Sequence, residues 1–575
     1  MAGKAFGFLR NTAIALTLAA ATGAPVPAAS LAGDYLAGRQ ASFLGDFKAA
    51  AEYYGRAVGY DPGNAALLER ATLANLAMGD VEHATELADR LSEQGFKSQV
   101  GQMAQIADLA GREDYETLLS RIEEKTAAGP LVDGLVGAWA ELGRGDMTAA
   151  SAAFDKVAEE KGLAGFAHYH KAMALASVGD FEGAEEIFAE RKAGSLQFTR
   201  RAVMARSEIL SQLGRQDEAV AMIDEGFPPP MDPGLAAMRQ ALVEGETLPF
   251  TYVNSAKDGI AEVFYTLAGA LSNEANDDFT LLYARIAQHL RPDHSGAILM
   301  SASLLENLGQ YDLAVAAYKK VTREDDSYYA AELGRAEALR AQGKVDAAVE
   351  VLEQLASSDQ GAEAAVQSAL GDMMRQLERY DEAISAYDVA IESFDEDNPG
   401  QWFLYYARGI SKERLGRWED AEEDFRAALD INPGQPQVLN YLGYSMVEHE
   451  VNLDEALNMI ERAVASQPQS GYIVDSLGWA LYRLGRYEEA VEHMERAAEL
   501  MPVDPVVNDH LGDVYWAVGR ELEAEFQWKR ALSFIDWEDA SDEVDPERIR
   551  KKLEVGLDQV LAEEGKPPLT VANGE

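Results

Sequence analysis

The chain has 575 residues, 47% of them apolar, with 98 acidic against 50 basic side chains and a formal net charge of −48. That balance argues against nucleic acid and anionic lipid as primary ligands, because phosphate recognition needs clustered Lys and Arg. With no cysteine, the chain has no route to disulfides, thiolate metal sites or cysteine catalysis, and a lipoprotein anchor on an acylated Cys is not expected.

The first element is a targeting segment. Lys4 and Arg10 precede a short apolar stretch, Thr12 to Ala21, and small residues come next with Val26-Pro27-Ala28 and Ser30-Leu31-Ala32 as candidate cleavage sites. This is the layout of a secretory signal over residues 1–32. Its apolar run is about half of the roughly 20 residues needed to span a bilayer. The expectation is an exported protein, periplasmic in a Gram-negative cell, cleaved near residues 28–32. No transmembrane segment is expected after the signal.

A repeat then starts at once. Gly38, Gly45, Ala50, Tyr54, Ala57 and Pro62 mark a first copy, and Gly79, Ala84 and Leu91 a weaker second one. Residues 99–130 are helical in pattern but fit the repeat poorly. Copies resume at Gly145, Gly179 and Gly214, so residues 33–225 read as an N-terminal block. Residues 226–258 break it, since Phe227-Pro228-Pro229-Pro230 cannot be helix interior. They are expected to be an irregular joint. A C-terminal block over 259–535 carries further copies, with one residue inserted in the inter-helix turn of the copy at Gly443.

The clearest copies come last. Leu477-Gly478 returns as Leu511-Gly512, Gly485 as Gly519, Ala490 as Ala524 and Ala497 as Ala531, always 34 residues on. A fixed period of this length marks stacked helical hairpins. Gly478 and Ala490 are small where two helices approach, and Gly485 turns the chain. A stack needs a closed end. Asp545-Pro546-Glu547 is a helix start, so 546–563 reads as a capping helix after an acidic linker, 536–545. The tail 564–575 reads as disordered.

This pattern of small, small and aromatic positions with a closing Pro resembles the tetratricopeptide repeat (TPR) family. The resemblance implies an all-α fold: a right-handed superhelical solenoid of about thirteen helix-turn-helix repeats in two blocks. It also implies a groove lined by the first helix of each repeat. Transferred onto the last copies, the groove positions are Phe403 and Tyr406; Asn440 and Tyr444; Tyr472, Asp475, Trp479, Tyr482 and Arg483; and Asp509, Asp513 and Trp516. Aromatic rings supply contact area at low entropic cost, and Asn can bond an extended backbone. Arg483 is the only base in the set, so a basic clamp for a partner's terminal carboxylate is not expected here.

No catalytic, metal or cofactor motif stands out. His449-Glu450 begins a zinc-protease motif, but Leu453 stands where its second His belongs. The protein is expected to be a non-enzymatic scaffold or adaptor for protein or peptide partners. Motifs such as DSLGWALYRLGRYEEA at 475–490 and HLGDVYWAVGR at 510–520 make the C-terminal third similar to proteobacterial periplasmic TPR adaptors. That resemblance implies presentation of substrates to an envelope protease. The alternative is a structural component of an envelope, secretion or exopolysaccharide machine. An enzyme would require a buried, convergent polar site, and 226–258 is where one is sought.

Overall fold

In a computed structural model, residues 30–566 and 569 are described, apart from 125–127, 191, 228–230, 273, 359–363, 395–398 and 536–543. Every regular element among them is helical. Residues 1–29 of the expected signal, 1–32, therefore lie outside the described residues, as do most of the acidic linker and most of the tail. The first helix is Leu31–Phe43, capped by Ser30, whose hydroxyl accepts from the Gly33 amide. No described helix is long and apolar enough to cross a membrane.

The helices form antiparallel hairpins in two compact units, Met1–Val351 and Leu352–Glu575. Unit 1 holds hairpins over 31–60, 65–93, 99–123, 130–158, 164–189 and 200–226. Two more lie over 256–290 and 295–318, and the hairpin over 328–356 has all but its last five residues in unit 1. Unit 2 holds five, over 364–392, 402–431, 436–466, 471–500 and 505–534. The stretch that fits the repeat poorly, 99–123, is a hairpin too. Its turn places Glu113 at φ 59°, where most other copies have glycine, and that removes the marker from the sequence.

Two local rules build the hairpins. At position eight of the first helix a glycine lets a bulky side chain of the second helix reach the backbone. A Cβ on Gly512 would stand 2.4 Å from the ring of fully buried Trp528, and one on Gly478 2.4 Å from Met494 Sδ. The second helices then start on different signals. In unit 1, Asp46, Asp80, Asp114, Asp146 and Asp180 each cap one by accepting from an amide three residues on. Such caps are worth about 1 kcal/mol each. In unit 2 the same position is Arg379, Arg417, Arg486 or Arg520. Three of these instead pair with a glutamate three residues on, as Arg486 does with Glu489 at 2.6 Å.

The stretch expected to be irregular, 226–258, contains a helix, Pro233–Val243. Asp232 caps it and Pro233 occupies its first turn, where a missing N–H costs nothing. Residues 244–254 then run without helix against Arg200–Gln212. Ser211 Oγ accepts from Leu248 N at 2.8 Å, and Glu208 accepts from Thr251 N at 2.7 Å.

The helices after residue 255 do not begin a separate block. Ala256–Leu271 packs on Pro130–Gly143 and Ala164–Ser177, and Asp277–Leu290 packs on Ala65–Met78 and Gln99–Gly111. One core runs from Phe47 to Ala338. The reason is written in Ala256–Leu271, where Ile260, Ala261, Val263, Phe264, Leu267 and Ala268 are all buried. A helix that is apolar on most sides must be covered on most sides. Trp139 marks the closest approach. It is wholly buried, and a Cβ on Gly259 would meet its ring at 2.2 Å. The first-helix faces of the early repeats are thus filled by the chain itself.

The C-terminal cap differs from the single helix expected over 546–563. It is two helices, Pro546–Val555 and Leu557–Glu563, broken at Gly556 with φ 81°. Ile549, Leu557 and Leu561 join the core of unit 2 beside Leu511 and Trp528.

Candidate functional site

The first helices of unit 2, Trp402–Arg414, Pro436–Glu448, Gly471–Arg483 and Pro505–Ala517, carry all twelve residues expected to face a partner. The structure divides them into an open row and a closed end.

The open row starts at Phe403, 38% exposed, whose ring meets Trp402 edge-on at 5.9 Å. Tyr406 is half-buried among Trp402, Phe425 and Tyr441, and burial pushes its hydroxyl up to about 12. Tyr444 is half-buried and Tyr472 is 46% exposed. Asn440 is buried, and its Oδ1 has no hydrogen-bond partner among the described residues. A buried acceptor left unmade costs about 1–3 kcal/mol.

Trp479 is held from three sides. Its Nε1 donates to Glu448 Oε1 at 2.7 Å, and its ring stacks on Tyr482 at 4.9 Å and on His510 at 3.9 Å. Arg483 is bound to Glu448 at 3.2 Å and to Glu450 at 2.9 Å. Tyr482 is buried, which raises its hydroxyl pKa well above the ordinary value.

The carboxylates expected in the groove are not open. Asp475 is buried and accepts from His510 Nδ1 at 3.0 Å. Burial alone would lower the His510 pKa, but Asp475 outweighs it and the net shift is upward. Asp509 accepts from Lys552 Nζ at 2.8 Å, and Asp513 from the same ammonium at 2.6 Å and from Trp528 Nε1 at 2.9 Å. Trp516 donates to Asp558 at 3.1 Å and lies beside Gly556. Asp475 therefore locks one first helix to the next, and Asp509, Asp513 and Trp516 lock the last one to the cap, while Tyr482 packs within its own hairpin against Trp479 and Tyr487. Glu413, which accepts from Tyr441 at 2.7 Å and Ser445 at 2.8 Å, and Glu448 were missed. They sit at helix ends, where glutamate reads as ordinary surface.

A convergent polar site does exist near 226–258. Glu262, fully buried, accepts from Tyr169 Oη at 2.9 Å, from Arg201 at 2.8 Å and from His294 Nε2 at 3.4 Å. His294 Nδ1 accepts from the Ala297 amide, which fixes its proton on Nε2. Burial would raise the Glu262 pKa, but Arg201 and then His294 hold it well below the usual carboxylate range. Nearby, Trp139 donates to His170, whose pKa burial pushes down to about 4. Every member of this network is consumed by another. No described group of His, Asp and Glu could hold a metal ion.

Tetratricopeptide repeat models match residues 35–64, 307–373, 402–435 and 474–502. A TPR repeat-containing protein of Pseudomonas aeruginosa, PA4667, is 25% identical over 173 residues, 30% of this chain. The match spans 28% of the length of that curated relative. Among solved structures, the APC/C hetero-tetramer Cut9-Hcn1 is 14% identical, with 92% of this chain and 96% of that chain covered and a TM-score of 0.37. A tetratricopeptide repeat protein from Parabacteroides merdae is 16% identical, with 45% and 97% covered and a TM-score of 0.36. The chain carries tetratricopeptide repeats in an all-helical fold, and repeats of this kind are protein-interaction scaffolds.

Proposed function

We propose that the protein is an exported, non-enzymatic adaptor that holds a segment of a partner protein along the open row of unit 2, from Phe403 to Trp479. The observation that carries this is the exposure of two large rings, Phe403 and Tyr472, on first helices of the same unit. The rings offer apolar contact area to a partner segment. The closed network around Glu262 supports a structural role for the most perturbed ionisable groups rather than a catalytic one.

Export to the periplasm rests on residues 1–32. Presentation of substrates to an envelope protease rests on the likeness of the C-terminal third to periplasmic adaptors. Both are tested together by fractionating cells, sequencing the mature N-terminus, and crosslinking the native protein in the cell to identify its neighbours. The triple variant Phe403→Ala/Tyr472→Ala/Trp479→Ala should keep its helicity and lose those neighbours. An uncleaved cytoplasmic protein, or neighbours retained by the variant, would refute export or the row respectively.

A further inference from the structure

A second opening lies in unit 1. It is a cleft of about 1010 Å³ whose walls come from the helices Arg200–Gln212, Ala256–Leu271 and Ser295–Asn307 and from the loop before Tyr328. We propose that this cleft binds a basic segment of a partner protein, one that carries Lys or Arg beside an apolar side chain.

The volume is far larger than one ion needs and suits several side chains with their backbone. Its floor is apolar, made by buried Met204 and Leu304 and half-buried Leu299 and Met300. Its charged lining is unequal. Six carboxylates, those of Asp232, Asp277, Asp293, Glu324, Asp325 and Asp326, face three guanidiniums.

The guanidiniums are already engaged. Arg201 is bound to Glu262 and lies over the rings of Tyr252 and Tyr265 at 4.8 and 5.6 Å. Arg200 is paired with Asp232. Arg291 donates to the carbonyls of Tyr252 and Thr251 and lies 3.5 Å from Asp293. Among the described residues, no Lys or Arg makes a salt bridge to Asp277, Glu324 or Asp326. An entering anion would meet engaged donors and carboxylates that outnumber the bases two to one. An entering cation meets those carboxylates over an apolar floor, which suits the alternation of an extended chain. The net charge of −48 steers such partners toward the protein.

The test uses the full chain and a fluorescein-labelled peptide, Gly-Lys-Leu-Ser-Lys-Leu-Gly, read by anisotropy near physiological ionic strength. A peptide with both Lys replaced by Glu is the control. The Lys peptide should bind at least about tenfold more tightly than the Glu peptide, a difference of about 1.4 kcal/mol. Asp277→Asn/Asp326→Asn should weaken it several-fold. Ser303 is exposed on the wall, so Ser303→Trp should fill the cleft without disturbing the fold and block binding. The row variant Phe403→Ala/Tyr472→Ala should leave binding unchanged. Equal binding of the two peptides overturns the proposal. Wild-type binding by Ser303→Trp, or loss in the row variant, also overturns it, by moving the peptide elsewhere on the acidic surface or into unit 2.

Discussion

Lys552 places its ammonium 2.6 Å from Asp513 Oδ1 with no part of its side chain reaching solvent. The same nitrogen bonds Asp509 at 2.8 Å. The pair joins the cap to the last repeat across 39 residues of chain, and it turns two carboxylates that would have faced a partner into part of the fold. Lys552→Met should leave half-buried Asp509 without its ammonium and buried Asp513 with only Trp528 Nε1 and the more distant Arg548, and cost about 3 kcal/mol. Urea unfolding monitored by tryptophan fluorescence checks this, since Trp528 lies beside the ammonium.

The close approach at position eight predicts unequal glycine effects. Gly512→Ala forces its methyl against the buried ring of Trp528, which has nowhere to move, and should destabilise by about 1–3 kcal/mol. Gly478→Ala meets the flexible end of Met494 and should cost clearly less. Parallel denaturation of the two variants decides it.

His510 links pH to the open row. Its pKa is raised from 6.5 by Asp475 against the opposing effect of burial. The stability this contributes is fully present below 6.5 and is lost as pH rises through the higher folded value. Trp479 stacks on the same ring at 3.9 Å, so its fluorescence should change over that window. His510→Gln should abolish the transition, while a titration unchanged in that variant would assign it elsewhere.

Glu208 gives unit 1 a second pH response. Burial pushes its pKa up to about 7, against the lowering effect of the Thr251 amide and hydroxyl. A carboxyl raised in the fold favours the protonated state, so the stability is present below 4.5 and lost as pH rises through 7, by about 3 kcal/mol in all. Glu208→Gln should flatten the pH dependence of unit 1 unfolding between those values.

Much of this architecture was legible in the spacing of a few residues. The offsets linking Gly478 to Gly512 and Gly485 to Gly519 define the hairpins, and the extra residue in the turn after Glu448 is there, with Glu450 and Asn452 at positive φ. The helix Pro233–Val243 was hidden because prolines read first as breakers, and only Asp232 reveals one as a helix start. The return of Ala256–Leu290 onto the early repeats was hidden for another reason. Periodicity shows that a helix is buried, never by what. The groove was half legible for the same cause. Phe403 and Tyr472 are open, whereas Asp475, Asp509 and Asp513 look equally polar in sequence and are tied to His510 and Lys552, which lie 35 to 43 residues downstream.

If the open row of unit 2 faces a partner and the cap end does not, site-specific photo-crosslinking in living cells separates the two. A benzophenone side chain is placed in turn at Phe403, Tyr472 and Trp516. Covalent adducts to a partner protein are expected from the first two positions and none from Trp516. Adducts from Trp516 with none from Phe403 or Tyr472 would contradict the assignment of the row.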